Sequence, residues 1–177
     1  MMKRGLSVAV AVVAAVFVLT GPVLAADSFG ARLRGVEETP VPISTAGQGF
    51  FFATLNTAET QLDYTLVYFG LGSNVTQSHI HFGQPGISGN IVLFLCANNP
   101  PITPPTAVPT PPACPNNPGI NTVSGFLTAS NVVAVSGQGI GAGAFADVVD
   151  AMKGIVTYVN VHTTTFGTGE IRGVLTH

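Results

Sequence analysis

Short runs in which apolar and polar residues alternate, separated by turns containing glycine, proline and asparagine, fill most of the chain from residue 28 onward. The run at residues 60–70 is the clearest, because leucine and tyrosine occupy every second position from Leu62 to Tyr68. Alternation at this period predicts a strand with one buried face. Runs of this kind predict eight strands, at residues 28–38, 48–56, 60–70, 74–82, 89–96, 121–129, 153–163 and 169–177.

One segment has a helical period instead. In AFADVVDAMKG, the apolar residues Phe145, Val149 and Met152 are spaced i, i+4 and i+7, and Gly154 follows where it can cap the C-terminus. Eight short strands, one short helix and no alternation of strand and helix predict an all-β fold. We expect an antiparallel sandwich or Greek-key barrel with one short helix.

The first 25 residues have a different pattern, with Lys3 and Arg4 ahead of a continuous apolar run. A Gly-Pro break and small residues up to Ala25 complete the layout of a secretory signal peptide, so we predict that residues 1–25 are a signal peptide. An uncleaved membrane anchor is the alternative, but the apolar run is shorter than the ~20 residues of a spanning helix. The chain is therefore expected to be exported (secreted, periplasmic or at the cell surface), with no membrane span after cleavage.

The remaining residues, 26–177, have a length that suits a single domain. They carry four basic and eight acidic side chains, a net charge of −4 with histidine neutral. Such a surface neutralises few phosphates, which argues against nucleic acids and anionic membranes as partners. An extracellular or cell-envelope protein is the expected kind of partner, and the sequence does not identify it.

Two cysteines, Cys96 and Cys114, enclose a proline-rich segment at residues 97–113. In an exported protein two cysteines most simply form one disulfide. Closing a loop of this length stabilises the fold by roughly 3 kcal/mol through lost chain entropy. Because proline cannot donate to a sheet, we predict an extended surface loop with polyproline character, tied at its base. A proline-rich recognition arm is the alternative.

Three of the four histidines lie in two similar segments. Each segment is a strand that ends in histidine, a turn containing phenylalanine and glycine, and a strand that begins Gly-Asn-Ile or Gly-Glu-Ile. Because alternate side chains of a strand lie on opposite faces, His79 and His81 share the face opposite Ile80, and His162 shares a face with Asn160. If the aliphatic side chains face the core, the sequence predicts an external cluster of His79, His81, His162, Asn160, Glu170 and Arg172, provided that the two hairpins are neighbours.

This cluster has three interpretations. In the first it is a structural polar network, in which Glu170 accepts a hydrogen bond from a histidine and pairs with Arg172 or Arg34. In the second it is a metal site, in which His79, His81 and His162 bind copper or zinc, since imidazole suits both ions. In the third it is an acid-base catalytic site. No familiar catalytic motif is present, and we assign no catalytic residue.

A family resemblance runs over roughly residues 29 to 176. Four segments resemble the CHRD domain family: ARLRGVEETPVPISTAGQGFF, LDYTLVYFGL, SHIHFGQPGISGNIVLFL and GIVTYVNVHTTTFGTGEIRGVL. The resemblance implies an immunoglobulin-like β-barrel remotely similar to copper/zinc superoxide dismutase, and no generally established activity. The dismutases also carry a His-x-His pair on the face of a barrel strand away from the core. Their further metal ligands have no visible counterpart here, so dismutase activity is not expected.

Two functional hypotheses follow. The first is an exported CHRD-domain protein that acts as a non-enzymatic binding or structural module. The second is a β-barrel protein that binds a transition metal through the His-x-His pair and His162. Ring nitrogens that can converge to within about 4 Å would favour the second, because metal–nitrogen bonds are roughly 2 Å long.

Overall fold

The computed structural model describes residues 26–98 and 104–177, so the predicted signal peptide at residues 1–25 lies outside the described residues. The eight predicted strands are all present and are numbered in chain order. Their bounds are β1 Ser28–Arg34, β2 Gln48–Leu55, β3 Gln61–Phe69, β4 Val75–Phe82, β5 Asn90–Ala97, β6 Asn121–Thr128, β7 Thr157–Thr163 and β8 Ile171–Val174. The predicted helix is α1, Phe145–Lys153. The described helices are all too short or too polar to span a lipid bilayer.

The strands form one antiparallel sheet in the order β5-β4-β7-β8-β1-β2-β3-β6. The sheet curls into a nearly closed barrel. Two hydrogen bonds reach β5 from the other end of the sheet. Tyr64 Oη of β3 donates to Leu95 O at 2.6 Å, and the backbone N–H of Val133, after β6, donates to Val92 O at 2.9 Å. Because β6 returns beside β3 and β7 returns beside β4, the connections are of the Greek-key kind. The all-β prediction is confirmed.

The interior of the barrel is apolar, as the alternation in the sequence requires. Ile80 of β4, Val159 and Val161 of β7, and Ile171 of β8 are fully buried on this inner face. Helix α1 adds the side chains of Phe145, Val149 and Met152 to the same core. Burying a side chain of this size is worth about 1.5–3 kcal/mol. The core therefore fixes which faces of β4, β7 and β8 point outward.

Two strand boundaries differ from the predicted ones for local steric reasons. The first strand ends at Arg34, because the chain turns at Gly35 into a single 3-10 turn. A Cβ atom at Gly35 would lie 2.3 Å from Ile43 O, so only glycine permits this close approach. The seventh strand begins at Thr157 and not at residue 153, because α1 continues to Lys153 and Gly154 caps it.

The predicted disulfide between Cys96 and Cys114 is confirmed. It joins the end of β5 to the segment that leads into β6, and both sulfurs lie in the core. The described part of the proline-rich segment, residues 104–113, is exposed or half-buried. Asn98 strengthens the base of this loop, because its side chain bonds to Cys114 through both its amide nitrogen and its oxygen.

The outer face of β4, β7 and β8 is covered by loops. All seven residues of β7 are buried, so both of its faces are shielded from solvent. Three segments provide the cover over the outer face, namely residues 35–45, the β4–β5 turn at residues 83–89 and the β7–β8 turn at residues 164–170. The first two are joined by a 3.0 Å contact between the hydroxyl groups of Thr39 and Ser88. A layer of buried polar side chains thus lies on the outside of the barrel wall.

Candidate metal centre

The pairing of β4 with β7 brings the three histidines together. His79 and His81 lie two residues apart in β4, and the register places Asn160 opposite His79 and Gln77 opposite His162. The prediction that the two hairpins are neighbours is therefore confirmed. One ring nitrogen from each histidine lies within 4.8 Å of the others.

The three side chains are buried, whereas the sequence predicted an external cluster. His79 is 0% exposed, His162 7% and His81 8%. The predicted facing was right, since the rings lie on the face opposite Ile80, but the predicted exposure is wrong. The exposure was predicted wrongly because alternation along a strand indicates only which side chains share a face. It gives no information about loops from elsewhere in the chain that cover that face.

Each imidazole is oriented by a hydrogen bond at one of its two nitrogens. His79 Nε2 lies 2.8 Å from Gln77 Oε1, His81 Nδ1 lies 3.0 Å from Gly89 O, and His162 Nδ1 lies 3.0 Å from Gly167 O. An amide or carbonyl oxygen only accepts, so the ring nitrogen in each pair carries the proton and donates. The proton is thereby fixed on the nitrogen that points out of the cluster.

The opposite nitrogen of each ring is buried and lacks a hydrogen-bond partner within residues 26–98 and 104–177. These atoms are His79 Nδ1, His81 Nε2 and His162 Nε2. Buried polar atoms in native proteins are normally paired, and each exception requires an explanation. Among the described residues there are five such side-chain atoms, the other two being Asn160 Oδ1 and Thr157 Oγ1. The three histidine atoms belong to one cluster, and each is the lone-pair nitrogen of a neutral imidazole.

Burial keeps the three imidazoles neutral. It lowers the pKa of His81 to about 4 and that of His79 well below its usual value, with the neighbouring histidines adding to both effects. Burial also lowers the pKa of His162, against a smaller opposing effect of the hydrogen bond to Gly167. At neutral pH the three nitrogens therefore keep their lone pairs, which is the form that binds a metal ion.

Arg172 and Tyr158 form the wall beside His81. The ring of Tyr158 is stacked on that of His81, with centroids 4.7 Å apart, and the Arg172 guanidinium lies 3.4 Å from the Tyr158 centroid. Arg172 also donates to the hydroxyl of Thr39 and, at 2.8 Å, to Ile87 O. Arg172 thus ties two of the covering segments to β8 and holds the aromatic wall in place.

Glu38 lies under the cover, and sequence reasoning did not find it. Its side chain is 5% exposed, and it accepts hydrogen bonds from Asn160 Nδ2 at 3.1 and 3.3 Å. Burial raises the pKa of Glu38 to about 7, although the hydrogen bond from Asn160 and the charge of Arg172 act in the opposite direction. No local pattern in the sequence identifies it, because Glu38 follows a strand as part of an irregular segment.

Glu170 has different partners from the histidine and arginine predicted for it. Its Oε1 accepts from Thr45 Oγ1 at 2.6 Å and from Gly72 N at 2.8 Å, and its Oε2 accepts from Thr163 Oγ1 at 2.8 Å. Arg34, the other predicted partner, pairs on the surface with Glu37. Glu170 therefore joins the covering segment at residues 35–45, the β3–β4 connection and β7, and forms a polar cluster separate from the histidines.

The fold and the site together define a class of protein, an antiparallel β domain with a buried three-histidine cluster on the outer face of its barrel wall. The model of the CHRD domain family matches residues 29–175, and the chain belongs to that family. CHRD domains are extracellular modules, and the disulfide is consistent with export. No curated protein and no solved structure matches the chain.

Proposed function

We propose that this CHRD domain is an exported, non-enzymatic module that binds one transition-metal ion, copper or zinc, through His79, His81 and His162. The observation that carries the proposal is the convergence of three neutral, buried ring nitrogens that have no hydrogen-bond partner in the described chain. Three imidazoles also form the protein ligands of one known class of open metal site.

The energetics favour a bound ion over an empty polar cluster. A buried polar atom left without a partner costs about 1–3 kcal/mol, and the cluster contains three such atoms. A metal ion satisfies all three at once. The carbonyl and amide oxygens that hold the opposite nitrogens correspond to the outer partners that fix tautomer and ring orientation around bound metals.

The spacing requires a small closing movement. The ring nitrogens lie within 4.8 Å of one another. This limit is wider than the separation of about 4 Å that would favour direct metal binding. Tetrahedral ligands about 2.0–2.1 Å from an ion are roughly 3.3–3.5 Å apart. Each ring therefore needs to move by about an ångström or less, which is within the range of a small rotation about the Cα–Cβ and Cβ–Cγ bonds.

A binding titration tests the proposal. The apo protein, purified without an affinity tag, is titrated with Cu(II) and with Zn(II) in a calorimeter. We expect saturation at one ion per chain, and at least a 100-fold loss of affinity in the His79→Ala/His81→Ala variant. His177→Ala is the matched control, because this histidine is exposed at the end of the chain and packs on Phe29.

Two results would contradict the proposal. One is the lack of saturable binding of either ion to the folded wild type. The other is equal affinity in the wild type and in the His79→Ala/His81→Ala variant, with His177→Ala alone reducing binding. Circular dichroism of each variant establishes that the protein compared is folded.

Binding of a protein partner is a second candidate function, favoured by exposed apolar side chains on the cover. Val36, Val41 and Ile87 are 62%, 63% and 57% exposed, and they belong to the two segments joined by Thr39 and Ser88. If a partner contacts this surface, the Val41→Asp and Ile87→Asp variants should no longer bind it, and the histidine variants should still bind it. Cross-linking of the exported protein to its neighbours, followed by mass spectrometry, measures this.

A further inference from the structure

Asn160 occupies the centre of the outer face. It lies opposite His79 in the β4–β7 register and opposite Arg172 in the β7–β8 register. The same face of β7 also carries Tyr158 and His162, two residues away on either side. Asn160 is 3% exposed, so its side-chain amide has to find its partners inside the protein.

The two ends of this amide are in different situations. The Nδ2 end donates to the Glu38 carboxylate at 3.1 and 3.3 Å. The Oδ1 end is buried and has no hydrogen-bond partner among the described residues, as is the case for the three histidine nitrogens. The Asn160 side chain also lies near the His81 ring.

Gly169 holds the Asn160–Glu38 pair in place. Its φ angle is +130°, a backbone conformation that favours glycine. A Cβ atom at this position would lie 2.3 Å from Asn160 Nδ2 and 2.6 Å from Glu38 Oε1. The backbone of the β7–β8 turn thus packs directly on the pair, and the amide nitrogen is held against Glu38.

We infer that Asn160 Oδ1 is the fourth ligand of the metal ion, and that Glu38 is the residue that positions it. This inference rests on the proposed metal site. With Nδ2 held by Glu38, Oδ1 is the remaining unpartnered polar atom of the side chain, and it gives the ion three nitrogen ligands and one oxygen ligand. A fourth protein ligand closes the coordination shell, which is typical of sites that hold an ion and not of sites that leave a position for substrate.

The first test uses the wild-type protein loaded with one Cu(II) ion and transferred to D₂O. If Asn160 supplies the fourth ligand, pulsed electron paramagnetic resonance should show three imidazole nitrogens and lack the strongly coupled deuterons of a bound water. Strongly coupled deuterons would overturn the inference, because they place water in the fourth position. This measurement requires no variant.

The second test uses substitutions. Asn160→Leu should lower metal affinity about 10- to 100-fold and shift the Cu(II) resonance spectrum, while the imidazole couplings remain. Glu38→Gln combined with Asn160→Asp reverses the donor and acceptor of the pair and keeps an oxygen at the site, so it should bind metal more tightly than Asn160→Leu. The matched control, Asn121→Leu, removes a buried amide bonded to Asn117 and should leave the spectrum unchanged.

The outcomes separate this inference from the proposed function. If the wild type does not bind metal, the proposed function fails and the fourth ligand fails with it. If the wild type binds metal and loses it in the histidine variant, but Asn160→Leu keeps both affinity and spectrum, the inference about Asn160 alone is overturned.

Discussion

Two buried polar clusters lie on the outer side of the barrel wall, and they differ in how completely their atoms are paired. The Glu170 carboxylate is fully buried and accepts hydrogen bonds from Thr45, Gly72 and Thr163. The three histidines are nearly as well buried, and each presents one ring nitrogen that lacks a partner among the described residues.

The difference separates a structural role from a binding role. A buried carboxylate that accepts from three donors on separate segments stabilises the fold and leaves little capacity for a ligand. A buried group of unpaired acceptors weakens the fold until something occupies it. Burial alone does not distinguish the two clusters, and the pairing of individual atoms does.

Among the substitutions, the largest expected effect comes from removing the paired cluster. Glu170→Ala removes the acceptor of three hydrogen bonds, from the buried Thr163, the half-buried Thr45 and the backbone of Gly72, and should lower the free energy of unfolding by about 2 kcal/mol or more. Glu170→Gln should cost about half as much, because its amide oxygen still accepts from Thr45 and Gly72. Urea unfolding measures both. A loss below about 1 kcal/mol in Glu170→Ala would remove the contrast between the clusters.

A change of pH tests the unpaired cluster without a substitution, because the apo protein should lose stability in acid. The pKa values of the three histidines are lower in the folded state than the ordinary value of about 6.5, so the unfolded chain binds more protons below that pH. The contribution of the neutral histidines to the free energy of unfolding is therefore present above pH 6.5. It is lost as pH falls toward 4, by up to about 1.4 kcal/mol per pH unit for each histidine.

Glu38 acts in the opposite sense and provides a control for this pH dependence. Its pKa is raised to about 7 in the folded state, so its contribution is present at low pH and is lost as pH rises through 7. Glu38→Gln should therefore make the acid loss between pH 6.5 and 4.5 steeper. Urea unfolding at several pH values, with a chelator present, measures the slopes. Stability that rises as pH falls from 6.5 would contradict the account.

The smallest effect is expected within the unpaired cluster itself. His79→Leu removes an unpaired buried nitrogen and replaces it with an apolar side chain, so the apo protein should change in stability by less than about 1 kcal/mol. The former partner, Gln77, is half-buried and can turn to solvent. Urea unfolding with a chelator measures the change. A loss as large as that of Glu170→Ala would assign the histidines to the structural class.

The barrel could be predicted from the sequence because each of its strands and its helix is indicated by a pattern within a short segment. Alternation at period two marks each strand, and the spacing of Phe145, Val149 and Met152 marks the helix. The disulfide follows from the cysteine count in a chain that is predicted to be exported. The parity that places His79 and His81 opposite Ile80 is also local, and the structure keeps it.

The cover over the histidines could not be predicted, because it depends on contacts between distant segments. Glu38 reaches Asn160 across 122 positions, and Thr45 reaches Glu170 across 125. Residues 35–45 have no period that reports such contacts, so the histidine face was predicted to be exposed. The partners of Glu170 were missed for the same reason, since both the β3–β4 connection and the covering segment at residues 35–45 are far from Glu170 in the sequence.

The most direct test of the metal site is the metal content of the protein as its host cell produces it. Elemental analysis is carried out on wild type and on His79→Ala/His81→Ala, both purified without an affinity tag and in the absence of added metal. We expect close to one copper or zinc ion per wild-type chain and its loss in the variant. Only trace metal in the wild type, or equal metal in both proteins, would contradict it.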